Sequence, residues 1–171
     1  MPAPRAAAEP TAAAPDGPRP EARGLAGILG QDAAVATLRG ALARGRPHHA
    51  YLFDGPEGIG KATCARALFL ALNCEAPGAP GDACGACPSC LKALSGNHPD
   101  FIRFDMTLAG LADQAEVLLR RLAFRPHEGR AQMVIFDPAD QFSAPTAATA
   151  ANRLLKTLEE PVANTFFVLV C

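Results

Sequence analysis

The stretch GPEGIGKA, Gly55 to Ala62, decides how this chain is read. It follows a short apolar run, AYLFD (50–54), and opens a helical pattern from Gly60 to Asn73 that carries Ala65, Leu68, Phe69 and Leu72 at helix spacing. A strand, a glycine-rich turn and a helix in that order gather backbone N–H groups around an anion, where the helix N-terminus adds partial positive charge. Gly55, Gly58 and Gly60 stand where the loop needs backbone without side chains, with Pro56, Glu57 and Ile59 between them. Lys61 is placed to set its ammonium against the β- and γ-phosphates of a nucleotide. The position after the lysine should carry a hydroxyl for magnesium, and it is Ala62. Thr63 follows one residue later, about 100° around a helix of 3.6 residues per turn, and so does not replace it. A purely structural turn is the alternative.

A second motif tests the first independently. VIFDPAD (134–140) closes an apolar strand with Asp137, where a metal-organising carboxylate is expected. The next position, where a hydrolytic enzyme of this kind carries a glutamate to activate water, is Pro138, which offers neither base nor acceptor. Asp140 is expected to cap the following turn. A cradle kept while metal clamping and water positioning are both lost points to binding without turnover.

NCEAPGAPGDACGACPSC holds Cys74, Cys84, Cys87 and Cys90, with nine, two and two residues between them. Two-residue gaps let thiolates converge on one ion, and four sulfurs fill a tetrahedral Zn²⁺ shell with no position open for water. Such a site is structural. An iron–sulfur cluster and free thiols are the alternatives, the first because three cysteines at this spacing also occur in ferredoxins. Cys64 and Cys171 are expected in the core. His98, in NHPD, is read as a turn residue, His48 and His49 as surface or packing residues, and Arg120 and Arg121 as part of a solvated helix face.

The 171 residues carry a net charge of -1, and 16 basic side chains are spread without a run, so no nucleic-acid partner follows from charge alone. Residues 1–24 are rich in alanine and proline, poor in large apolar side chains, and expected to be a disordered tail. They lack the apolar core of a signal peptide, and no run reaches the roughly 18 apolar residues of a membrane span. Residues 25–171 form the domain, with the metal module at 74–90. Further helices are expected around Val35, Leu38 and Leu42, from Leu111 to Ala123 (Leu111, Ala115, Leu118, Leu122 on one face), and from Ala147 to Glu160 (Ala151, Leu154, Leu155, Leu158). Strands are expected at AYLFD (50–54), as a buried strand, and at DFIRFD (100–105), AQMVIFD (131–137) and TFFVLVC (165–171). Alternating apolar strands and helices give an α/β fold, a parallel sheet with helices on both faces. The final apolar strand reads as a cut end, so a longer protein is expected.

Taken together, GQDAAVATLRGALARGRPHHAYLFDGPEGIGK, the four-cysteine insertion, NHPD, LAFRPHEGRAQMVIFDPAD and ANRLLKTLEEP resemble the delta-prime subunits of the bacterial DNA polymerase III clamp loader, members of the AAA+ family. The resemblance runs from about Gly30 to Cys171, and LLKTLEEP (154–161) is its most specific phrase. It implies a RecA-like nucleotide-binding fold with an inserted zinc module. It also implies a place in a ring of five subunits that loads the sliding clamp onto primed DNA, in the bacterial cytoplasm at the nucleoid. The gamma/tau subunit is the nearest competitor and shares the loop, the cysteines and LLKTLEEP. It normally has threonine or serine after the lysine, an aspartate–glutamate pair at the acidic motif, and DAAS where this chain has FDMTLAG. Ala62 and Pro138 therefore imply a delta-prime scaffold, part of a nucleotidyltransferase assembly without polymerase or efficient ATPase activity of its own. ATP or ADP would bind the loop with weak Mg²⁺ dependence. The family's serine–arginine–cysteine motif would lie past Cys171, as would a fifth strand beside the first, which implies that the AYLFD strand is an exposed edge.

Overall fold

The computed structural model describes residues 23–171. The tail expected at 1–24 lies almost wholly outside the described residues. Gly24, however, is already buried against the module, where it forms an antiparallel bridge with Asp82.

Four strands form one parallel sheet: β1 (Ala50–Phe53), β2 (Phe101–Asp105), β3 (Gln132–Asp137) and β4 (Thr165–Val170). Their order is β1-β4-β3-β2. The central pair, β3 and β4, is buried almost throughout, because helices cover both faces; the polar side chains that begin them, Gln132 and Thr165, are buried and bonded to each other at 2.9 Å. β1 differs from the buried strand read from its residues. It lies at the edge, as the resemblance implied, and Leu52 is 65% exposed.

On one face lie α1 (Asp32–Ala43), α2 (Lys61–Asn73) and the short α3 (Pro88–Leu94), over a core of Leu68, Phe69, Met133, Ile135 and Val168. On the other lie α4 (Leu111–Leu122) and α5 (Ala148–Glu159), over Phe104, Val134, Phe136 and Phe167. The expected stripe of α4, Leu111, Ala115, Leu118 and Leu122, is buried in full. Its Asp113 in the first turn and Arg120 and Arg121 in the last suit the helix dipole. Of the stripe expected of α5, Leu154 and Leu158 pack on this core, but Leu155 is half exposed, and Ala147 and Ala150 make the contact in place of Leu155 and Ala151. α3 escaped the sequence reading because seven residues carry too little periodicity to register.

Asp100, just before β2, anchors the return from α4. Its buried carboxylate accepts the backbone N–H groups of His127 at 2.6 Å, Glu128 at 2.8 Å and Gly129 at 2.7 Å. Three such bonds satisfy a charge that would otherwise be expensive to bury.

Candidate functional site

The strands run so that β1 feeds the glycine-rich turn at the C-terminal end of the sheet, and α2 leaves from it. Gly58 (φ 78°) and Gly60 (φ 100°) take left-handed conformations that side-chain-bearing residues rarely adopt. That geometry lets the chain reverse within six residues and enter α2 at Lys61. The first intrahelical bond is Cys64 N–H to the Gly60 carbonyl, 2.8 Å. The N–H groups of the first turn, Lys61 to Thr63, thus have no acceptor within the helix and face the loop. The Lys61 ammonium folds back over the turn and donates to the carbonyls of Gly55 at 2.6 Å and Pro56 at 3.0 Å. Beside it a cleft of about 160 Å³ opens between α1 and the loop, walled by Gln31, Ala34, Leu52 and Ile59, with Asp54 and Lys61 as its charged residues.

The expected magnesium site does not fit a metal. Ala62 presents a methyl group, and Thr63 sits on the next position of α2. Asp137 ends β3 as expected, but its Oδ2 accepts a hydrogen bond from Arg103 Nη2 of β2 at 2.8 Å. Pro138 follows it directly. Asp140 does not cap the next turn; it lies within the 3₁₀ segment Ala139–Ser143 and accepts from the Gln141 side-chain amide at 3.2 Å. Arg103 was the residue missed by sequence reasoning. The available signal was a lone guanidinium inside the apolar run FIRF, which needs a partner when a strand is covered.

The cysteines fare differently. The thiols of Cys74, Cys84, Cys87 and Cys90 all lie within 4.8 Å of one another, and those of Cys84 and Cys90 are 4.0 Å apart. A tetrahedral Zn²⁺ with bonds of about 2.3 Å needs sulfurs about 3.8 Å apart, so the donor set fits a single ion. Cys74 caps the C-terminus of α2, Cys87 caps the N-terminus of α3, and Cys90 lies within α3. Backbone N–H groups point at the sulfurs: Cys84 to Cys74 at 3.2 Å, Cys87 to Cys84 at 3.3 Å, Cys90 to Cys87 at 3.5 Å. The amides of Ala86 and Cys87 draw the Cys84 thiol down to about 6, towards the thiolate that a metal requires. Burial pushes Cys90 upward.

Of the remaining residues, Cys64 is a core residue as expected, its thiol raised to about 11 by burial. Cys171 is not: it is exposed, because it lies past the last paired residue of β4. His98 is no fifth ligand. It is buried in the turn before β2, where Nδ1 accepts the Asp100 N–H at 3.1 Å and Nε2 faces Ser89 Oγ at 3.2 Å. His48 and His49 are exposed. Arg120 pairs with Glu116 one helical turn away, and Arg121 donates to the Pro99 carbonyl, both on the solvent side of α4.

The fold and site thus define an α/β protein with a glycine-rich strand–loop–helix turn and a four-thiol cluster able to hold one metal ion. The profile of the family described as DNA polymerase III, delta subunit, matches residues 30–171, and the chain belongs to that family. It is 36% identical over 145 residues to the DNA polymerase III subunit tau of Salmonella typhimurium, covering 85% of this chain and 22% of that protein. It is 37% identical over 147 residues to the subunit gamma/tau of Mycobacterium tuberculosis, covering 84% of this chain and 24% of that protein. With the subunit tau of Bacillus subtilis it shares 34% identity over 143 residues, 83% of this chain and 24% of that protein. The chain spans less than a quarter of the length of these relatives. The resemblance holds at the level of the clamp-loader family of DNA polymerase III subunits; these relatives do not separate delta-prime from gamma/tau. No helix among the described residues is long and apolar enough to cross a membrane.

Proposed function

We propose that this chain is the nucleotide-fold part of a delta-prime-like clamp-loader subunit, a largely non-hydrolysing scaffold that helps to load the sliding clamp onto primed DNA. One observation carries the reading: the glycine cradle and Lys61 are kept, while Ala62 and Pro138 stand where the metal ligand and the water-activating carboxylate belong. Phosphoryl transfer draws most of its acceleration from metal clamping and nucleophile positioning. A protein that dispenses with both keeps the framework and leaves turnover to neighbouring subunits. Gly55 to Thr63 and Asp137 form the nucleotide site in this reading, with ATP or ADP as ligand and little help from Mg²⁺. Cys74, Cys84, Cys87 and Cys90 hold one structural Zn²⁺. Its partners are the other loader subunits, the clamp and, through the assembly, primed DNA, in the bacterial cytoplasm at the nucleoid.

The second reading is an active ATPase of the gamma/tau type. It is favoured by the 34–37% identity to tau and gamma/tau subunits. Steady-state phosphate release by the full-length protein, with clamp and primed DNA but no other loader subunit, separates the two. The scaffold produces no turnover above background. Release that disappears in Lys61→Ala establishes the ATPase and overturns the scaffold.

A further inference from the structure

Two charged side chains meet towards the C-terminal end of the sheet, the end at which β1 feeds the glycine-rich turn. In β2, burial alternates: Ile102 and Phe104 enter the α4–α5 core, so Phe101, Arg103 and Asp105 turn to the opposite face. In β3, Met133 and Ile135 belong to the core beneath α1, α2 and α3, and Asp137 continues their side of the strand. Arg103 and Asp137 therefore share the face that carries α2. Arg103 stands opposite Ile135 and Asp105 opposite Asp137, so the guanidinium reaches two residues along the sheet to bond Asp137 Oδ2 at 2.8 Å.

The pair is well placed to matter. Its side chains are only 39% and 21% exposed, so solvent screens them less than a surface pair. The neighbouring carboxylate is engaged as well: Asp105 Oδ1 accepts both the backbone N–H of Thr107 at 2.8 Å and its hydroxyl at 2.7 Å. A divalent ion arriving at Asp137 would have to displace a charge-assisted hydrogen bond, and would find no oxygen at Ala62 to complete its shell.

We propose that Arg103 is a fixed cation standing at Asp137 in place of a divalent metal, so that the loop takes nucleoside diphosphates, triphosphates and polyphosphates in metal-free form. The inference rests on the cradle reading for its ligand, but its core, exclusion of a metal by Arg103, concerns this chain's own residues. Lys61 is then the cation that meets the phosphates, while Arg103 keeps Asp137 from recruiting a metal. Arg103 acts through Asp137 and is a positioning residue.

The test uses the full-length, zinc-loaded protein. Calorimetric titration with ADP, with and without added Mg²⁺, is expected to give affinities within about twofold of each other in the wild type and in Arg103→Lys, which keeps the charge. In Arg103→Gln, Mg²⁺ is expected to strengthen ADP binding by about tenfold, a change of about 1.4 kcal/mol. Titration with Mn²⁺ alone, followed by electron paramagnetic resonance, should reveal a site in Arg103→Gln that is missing from the wild type and lost again in Arg103→Gln/Asp137→Asn. A wild-type protein that binds ADP about tenfold tighter with Mg²⁺, or binds Mn²⁺ through Asp137, overturns the proposal. So does Arg103→Gln, folded by circular dichroism, without any gain in Mn²⁺. If Arg103→Gln fails to fold, the wild-type and Arg103→Lys titrations decide. If ADP binds no variant, the cradle reading falls separately and the Mn²⁺ titration still decides the role of Arg103.

Discussion

Arg39 of α1 and Asp82 of the cysteine loop form an ion pair of 2.8 Å, which ties the first helix to the four-cysteine module. The same loop holds the start of the described chain: Leu25 N–H donates to the Gly81 carbonyl at 2.9 Å, and Leu25 is fully buried. The module is therefore a fastening for α1 and for residues 23–25, and Gly24 is the tightest point in it. At φ 90° a Cβ on residue 24 would lie 2.7 Å from the backbone nitrogen of Ala83. Gly24→Ala should thus cost more than about 1 kcal/mol, since left-handed strain alone is of that order and the backbone must also shift. Urea unfolding of both proteins measures it; an unchanged midpoint would count against the contact.

Metal loading should be felt at that fastening. Elemental analysis is expected to find one zinc per chain, and Cys87→Ser to lower both occupancy and stability, because binding energy at such sites is folding energy. Chelation should speed hydrogen exchange at the Leu25 amide before the sheet amides of Val134 and Val168 respond. Iron in place of zinc, or occupancy indifferent to Cys87→Ser, would break the ligand assignment.

Stability should respond to pH in two separate windows. Burial holds His98 below its ordinary value, against the pull of Asp100 and Glu128. The unfolded chain then binds more protons than the folded one, so stability falls as pH drops below about 6.5. His98→Asn should flatten that slope. Asp100 behaves differently. Burial alone would raise it, but the amides of Gly129, Glu128 and His127 together hold it below the usual range. Its contribution is present above about 4 and disappears only in stronger acid. Denaturant midpoints measured from pH 8 to pH 3 resolve the two; a wild-type curve flat down to pH 5 would rule out the His98 part.

At the sheet edge, Leu52→Thr should leave the unfolding free energy within about 0.5 kcal/mol, since Leu52 is 65% exposed. It should also reduce self-association of the 171-residue chain, because an apolar edge strand with unpaired backbone groups is a template for more strand. Light scattering at matched concentration checks this.

Restoring one ligand should not restore an enzyme. Ala62→Thr in the full-length protein is expected to give no phosphate release above background, because Pro138 still lacks a base and Arg103 still holds Asp137. Measurable turnover from this single change would show that the hydroxyl alone was missing.

Much of this molecule can be read from its residues. The long apolar runs in QMVIFD and TFFVLV match buried central strands, and the turn GPEGIG leaves few alternatives to strand–loop–helix. The convergence of the cysteines was legible because short gaps restrict where thiols can point. β1 was misjudged from its composition since Tyr51 and Leu52 look alike in sequence, although one is half-buried and the other exposed. Arg103 and Asp137 are 34 positions apart, and only strand order and register bring them together. The grip of Asp100 on residues 127–129 was hidden for the same reason. Long-range polar pairs leave no periodic trace.

α2 runs unbroken from Lys61 to Asn73, with Cys74, the first thiol of the cluster, immediately after it. At about 1.5 Å per residue, its 13 residues hold the sulfur cluster and the glycine-rich loop roughly 20 Å apart. That is about twice the distance over which salt water hides one charge from another. Through solvent, an ion gained or lost at the thiols is therefore felt only weakly at the loop. What joins the two ends directly is one unbroken helix, so a shift of its thiol end is carried to the loop as movement of a single stiff rod.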